Sequence, residues 1–430
     1  MKRFQKVMGA GLVFSFLFLN IAWADQGVDE EGERQERETL RAEVRSLKTR
    51  LSELENRLDK AEKKVSEGPM LPAEHYKVPE FLHDLTISGM VESSVNYNTN
   101  EPNNRLNTLH QFDSQANSFM IDQAQIIFHK HPEEGVGFRT DFVVGEIAQS
   151  IGSNGTLTTD DIDLEQAYVN YRVSVYDQPL DIWFGKYVTL AGAEVIEDPS
   201  GYNWNATHSF MFYYSIPFTH TGVRASYAAT PWLTAILGVN NGWDAEQDNN
   251  NAKTLETGLS LTPYPWFSWF TSFYYGAEQS GDEGSQRTLV STAATLQPGE
   301  FVETLEPLTL MVNFDYGHEE DAVSPGVDGD WYGVASYARY MMNEKWGLST
   351  RAEYFNDNDG VRTSSATGIS ARTIQELWEW TLTTDYTLYP GLVGRLEYRY
   401  DYSNADVFQD SKSDKTHSQN LVTLQFLYAF

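Results

Sequence analysis

Seven arginines, Arg139, Arg172, Arg224, Arg339, Arg351, Arg395 and Arg399, share one parity with eight acids in long alternating segments. The acids are Asp141, Glu256, Asp315, Glu353, Glu379, Asp385, Glu397 and Asp401, and the opposite parity is apolar. Guanidinium and carboxylate groups facing a common space pair with one another, or set up a transverse field that orders polar solutes without reacting with them. That is the chemistry of passage and packing, not of bond making. Catalytic patterns are weak by comparison. Asn356-Asp-Asn-Asp-Gly360 looks like the start of a calcium loop, but Ala366 stands where the loop needs a glutamate. His318-Glu-Glu-Asp321 reads as an acidic turn without a second histidine at zinc spacing. No nucleophile motif is present, and the absence of cysteine removes thiol catalysis and Cys-ligated metals. The sequence is therefore read as non-enzymatic, with neither cofactor nor metal.

The elements that carry these charges alternate with period 2. Val136, Phe138, Thr140, Phe142 and Val144 interleave with Gly137, Arg139, Asp141, Val143 and Gly145. Leu392, Gly394, Leu396, Tyr398 and Tyr400 interleave with Arg395, Glu397, Arg399 and Asp401. A soluble sandwich alternates too, but its strands are usually about 5–6 residues long. These segments are about twice that, and their apolar faces end in aromatic residues, the pattern of a transmembrane β-barrel. About sixteen such segments occur between residues 81 and 430, joined by alternating short and long connections. Facing lipid near the midplane, each arginine would cost roughly 2–4 kcal/mol, which assigns the charged parity to the interior. A barrel of that size leaves an aqueous channel its wall side chains cannot fill, unless loops enter it. The fold expected is an all-β, antiparallel transmembrane barrel preceded by a helical coiled-coil segment.

The chain before the barrel is made of different material. Lys2, Arg3 and Lys6 precede a short apolar run over 11–19 and a small-x-small site at Ala22-Trp23-Ala24, which reads as a secretory signal over 1–24. Over 25–67, Leu40, Val44, Leu47, Leu51, Leu54, Leu58, Ala61 and Val65 form an a/d seam of a coiled coil. Residues 68–80, with Pro69, Pro72 and Pro79, make a linker. An even strand number returns both barrel ends to one side, so the coiled coil is expected in the periplasm, with peptidoglycan as a contact and three copies as the assembly.

The net charge of −30 argues against nucleic acid as a partner. The longest outer connection, 189–218, holds Glu194, Glu197 and Asp198 and the aromatic stretch Phe210-Met-Phe-Tyr-Tyr214. A stretch this apolar is poorly suited to open water, so the connection is expected to fold into the pore as a constriction. Its acids then predict a weak cation preference. Phe426, Tyr428 and the terminal Phe430 give the last strand an aromatic lipid face, the form of an assembly signal read by barrel-insertion machinery, with outer-membrane lipid around it. The competing reading is a plugged barrel that tethers the membrane to the periplasm through the coiled coil.

Several motifs together resemble the OmpL-like β-barrel porin family, over roughly residues 82–430. They are Leu164-Glu-Gln-Ala-Tyr-Val-Asn-Tyr171, Gly185-Lys186, Ser215-Ile-Pro-Phe-Thr-His-Thr-Gly222, Asn240-Asn-Gly-Trp-Asp244 and Lys253-Thr254. Arg351-Ala-Glu-Tyr-Phe355 with Asp357 and Gly360, and Arg395-Leu-Glu-Tyr-Arg399, complete the set. The resemblance implies a porin in the outer membrane of a Gram-negative cell, passing small hydrophilic solutes and specifying no single one.

Overall fold

Strands form where one parity meets lipid and the other meets the interior. Ile87, Val91, Phe119, Val136, Phe184, Leu237, Leu396 and Phe426 are exposed apolar side chains, whereas Asp141, Glu256, Asp315 and Arg351 on the opposite parity are buried. The computed structural model describes residues 84–152, 162–367 and 372–430. The expected signal, coiled-coil seam and linker lie outside the described residues.

The strands are β1 (Thr86–Asn98), β2 (Ser118–Lys130), β3 (Gly135–Val144), β4 (Ile162–Val175), β5 (Gln178–Val188) and β6 (Thr219–Thr230). Then follow β7 (Leu233–Asn240), β8 (Thr254–Tyr264), β9 (Phe267–Ala277), β10 (Gln286–Leu296), β11 (Leu308–Ser324) and β12 (Val327–Met341). β13 (Trp346–Asp357), β14 (Gln375–Tyr389) and β15 (Leu392–Ser403) precede a small hairpin of β16 (Phe408–Gln409) and β17 (Lys415–Thr416), and β18 (Ser418–Ala429) is last. Apart from the β16–β17 hairpin, these strands make one closed sixteen-stranded barrel in which β18 returns to β1, antiparallel throughout. Most connections at the end holding Asp84 and Phe430 are short, and most of those at the other end are long. In outer-membrane barrels the short turns are periplasmic.

Two expected elements end differently. The alternating segment that begins at Val136 leaves the sheet at Gly145, whose φ is +114°, and continues as a helix over Glu146–Ile151. A Cβ on Gly145 would stand 2.8 Å from the carbonyl oxygens of Ile121 and Asp122. Ile147, Ala148 and Ile151 then bury themselves among the loops inside the barrel. The expected acidic turn at His318–Asp321 is strand. β11 and β12 rise past the membrane band to a turn at Pro325-Gly326, with Gly326 at φ +79°. There His318 Nδ1 contacts Asp330 Oδ1 at 2.9 Å and Tyr316 donates to the same oxygen, so polar cross-strand pairs carry the hairpin.

Closure depends on the C-terminus. Phe430 N–H donates to the Gly89 carbonyl and Gly89 N–H to the Phe430 carbonyl, both at 3.0 Å. A Cβ on Gly89 would meet the Phe430 ring at 2.6 Å, so the glycine leaves the space that the ring covers. Phe430→Ser retains the main-chain pair but loses this lipid-facing cover. Its yield in the outer-membrane fraction should fall severalfold, measured by fractionation and blotting under normal expression.

Candidate permeation site

Residues 189–218, between β5 and β6, run across the interior and fasten to the opposite wall. Glu194 accepts from Arg351 Nη1 at 2.9 Å, from Tyr337 Oη at 2.9 Å and from Ser209 N–H at 3.0 Å, and its carboxylate meets His208 Nδ1 at 3.1 Å. Glu197 lies 3.3 Å from Arg395 Nη1, and Asp198 lies 2.7 Å from Arg139 Nη2. Two wall carboxylates grip the loop backbone. Glu397 accepts from the N–H groups of Ala206 and Thr207, and Glu353 from those of Phe210 and Met211. Glu353 and the Ser209 hydroxyl, which accepts from Phe212 N–H at 3.0 Å, satisfy free donors of the one-turn helix Phe210–Tyr214. Arg399 donates to the His208 carbonyl and, at 3.2 Å, to Thr207 Oγ1.

The loop also reaches the near side. Leu190 N–H donates to Tyr274 Oη at 2.9 Å and Gly192 N–H to Ser291 Oγ at 2.8 Å. Phe210–Tyr214 packs with Leu109 and Phe112 of the 99–117 loop, Ile147, Trp243, Trp331 and Phe408 into one apolar core within the lumen. The 99–117 loop is anchored by His110, whose Nδ1 and Nε2 lie 2.7 and 2.8 Å from Asp113 and Asp401. Burial would lower the His110 pKa, but the Asp113 and Asp401 carboxylates outweigh it and raise it. Glu194 shows the converse. Burial alone would push its carboxyl up, yet Arg351 and His208 hold it at about 2.

Every wall residue singled out from the sequence lies on the face away from lipid. Arg139 pairs with Asp141, Arg224 with Glu256, Arg339 with Asp385, Arg351 with Glu379 and Arg399 with Asp401, at 2.6 to 2.9 Å; among the described residues Arg172 reaches only Asp181, at 3.6 Å. Asp315 takes a hydrogen bond from Asn313 Nδ2 at 3.0 Å. Most of these groups are buried against the loops and one another. Glu194 and Glu197 are 5% and 3% exposed, and each meets a guanidinium group, Arg351 and Arg395 respectively. Inner side chains nearer the short-turn end, such as Trp183, Ile236, Phe270 and Met311, are half-buried. Sequence reading missed His110, His208, Tyr337, Glu92 and Asp122. The His110–Asp113 spacing was its one local signal, too common in loops to be diagnostic.

The profile of the family described as "Putative beta-barrel porin-2, OmpL-like" matches residues 84–430, the whole of the barrel just described. The chain belongs to that family. No curated protein matches the sequence. Among solved structures, this OmpL-like barrel is similar to the outer-membrane channel DcaP of Acinetobacter baumannii, at 11% identity and a TM-score of 0.53, covering 80% of this chain and 97% of that one. It is also similar to a porin of Comamonas acidovorans described as anion-selective, at 10% identity and a TM-score of 0.52, covering 80% and 99%. The trimer form of OmpT from Vibrio cholerae gives 10% identity and a TM-score of 0.51, covering 80% and 99%. At such identities the likeness is one of fold, and the barrel is of the outer-membrane porin type.

Two predictions concern the loop fastening. Arg351→Ala leaves the Glu194 and Glu379 carboxylates buried without their guanidinium and should cost about 3–5 kcal/mol in a denaturant titration, whereas the Arg351→Met, Glu194→Gln pair should recover part of that loss. Acid should act through Glu194. Its pKa is about 2 in the fold against an ordinary 4.5, so its contribution is complete above pH 4.5 and lost as pH falls through about 2. Protease cutting within 189–218 should therefore begin only toward that lower limit, and nearer pH 4.5 in a variant lacking the Arg351 charge.

Proposed function

We propose that this outer-membrane protein lets small hydrophilic solutes and ions diffuse passively, with a weak preference for cations, past a constriction built from residues 189–218. The observation that carries the reading is the fastening of that loop across the lumen by Arg351 and Arg395, with Arg139 of β3 holding it on the near side. A loop held at both walls narrows a sixteen-stranded barrel without closing its mouths. Cation preference is proposed to arise at the outer rim, since the constriction acids are already paired. Glu283, Glu320 and Asp328 are exposed at the tips of neighbouring hairpins, with Asp248, Asp282 and Asp321 half-buried beside them. Ser285 Oγ donates to Asp282 and Asp321, and Gln286 N–H to Glu320, which ties these tips into one acidic rim.

The pore-lining role belongs, in this proposal, to Arg172 and to the half-buried inner residues near the short-turn end, and the paired wall charges serve to hold the loop. Three copies are proposed to assemble, in line with the neighbour described as a trimer, with the 40–65 seam adding contacts in the periplasm, where peptidoglycan is the proposed contact. Phe426, Tyr428 and Phe430 are proposed as the signal to the insertion machinery. A second reading, a plug whose working part is the N-terminal segment, draws support from the apolar core inside the lumen. Single-channel recording separates the two, since a plug passes no current.

For the porin reading, the zero-current potential across a planar bilayer under a KCl gradient should have the sign of cation preference. It should grow as salt is lowered, because a rim charge acts over only ~8 Å at physiological ionic strength. Anion preference at low salt would overturn the rim as its source.

A further inference from the structure

Inside the barrel, where the 189–218 loop approaches β1, β2 and β18, a cavity of about 20 Å³ remains, room for one water-sized particle. Its lining includes four carboxylates: Glu92 and Asp122 from the wall, Asp113 and Glu197 from the loops. Two of these are satisfied. Asp113 takes His110 Nδ1 and the Tyr213 hydroxyl, each at 2.7 Å, and Glu197 takes Arg395 Nη1 at 3.3 Å and Asn203 N–H at 3.0 Å. The other two are not. Both carboxylate oxygens of Glu92 and Oδ2 of Asp122 lack any hydrogen-bond donor, though the residues are only 1% and 4% exposed. The nearest cationic group to Glu92 is Arg395 Nη1, 4.0 Å from Oε1, and it is already committed to Glu197 and to Gln425 Oε1 at 2.9 Å.

The backbone is arranged to produce this. Between β1 and β2 the register shifts at Glu92/Ser93, where Glu92 stands opposite Gln123 and Ser93 opposite Ile121, so Asp122 is the extra residue of a bulge. A bulge re-aims a side chain, and this one turns a second carboxylate to the interior beside Glu92. An unpaired buried carboxylate is costly to hold, and two side by side are costlier. The unsatisfied wall oxygens at the cavity are all acceptors on acids, so the particle that completes it is a donor or a positive charge. Among the described residues no three such side chains converge as metal ligands. The site therefore suits a monovalent cation held by charge, with water or protein hydroxyls around it, and not a chelated divalent ion.

We propose that this cavity is a cation station on the permeation path, where Glu92 and Asp122 hold one monovalent cation in transit. The proposal rests on the porin reading above and gives its cation preference an internal site in addition to the rim. The loop touches the wall directly through Glu353, Glu397, Tyr274 and Ser291, and the cavity lies beside it, where Phe112, Ile147 and Tyr213 share the lining with the carboxylates.

The test is single-channel recording of the full-length protein in planar bilayers over a series of KCl concentrations, with Glu92→Gln and Asp122→Asn compared to the parent. Both substitutions keep shape, and heat-modifiable migration on gels checks that each barrel is folded. In the parent, conductance should level off as KCl rises, because one site limits the flux. In each variant it should rise in proportion to salt, and the K⁺ over Cl⁻ permeability ratio should fall about threefold. Glu92→Asp should restore levelling. If folded Glu92→Gln and Asp122→Asn match the parent in both readouts, the carboxyls are neutral or off the path and the station is overturned while the porin reading stands. A parent that passes no current overturns both.

Discussion

The interior is organised by the meeting of Arg351 with Glu194. Lipid excludes the guanidinium from the outer face of β13, so it must point inward, and the lumen of a sixteen-stranded barrel is too wide for the facing wall to pair it unaided. Glu379 on the neighbouring strand supplies one carboxylate and the inserted loop supplies the other. Both arginine and acid are then almost wholly removed from water, where a pair is retained only if its remaining donors and acceptors are matched. Tyr337, Ser209, Thr207 and His208 provide that matching. The path of the loop follows from this fastening and its repeats at Arg395 and Arg139.

Once the loop is inside, its apolar residues find one another. Phe210–Tyr214 would be costly to hold in open water, and in the lumen it meets Phe112 and Phe218 from neighbouring loop segments at ring distances of 5.4 to 5.7 Å. The barrel thus carries two apolar surfaces separated by a charged layer. The outer one is bathed in lipid and the inner one is made by loops. The charged wall between them serves as mortar.

The solved neighbours share the fold at identities of 9 to 11%. One of them is described as anion-selective, and a shared fold does not by itself fix which ions pass it.

The sequence by itself determined the closed sheet, its strand number and which parity faces lipid. Each of these is local, since a period of 2 and a prohibitive cost for charge in hydrocarbon act residue by residue along a strand. It also marked Phe210–Tyr214 as unfit for solvent, and so pointed to the 189–218 connection. Only the tertiary structure decided what the inward charges do. Arg351 finds Glu194 across 157 positions of sequence and Arg395 finds Glu197 across 198, and no periodicity encodes such a meeting. The same holds for Asp122, which an alternation rule cannot place because a bulge interrupts the count, and for Glu146–Ile151, whose helix begins where Gly145 presses against the backbone of β2. Contacts between a wall and a folded-in loop depend on the course of the whole chain, so they become legible only when that course is known.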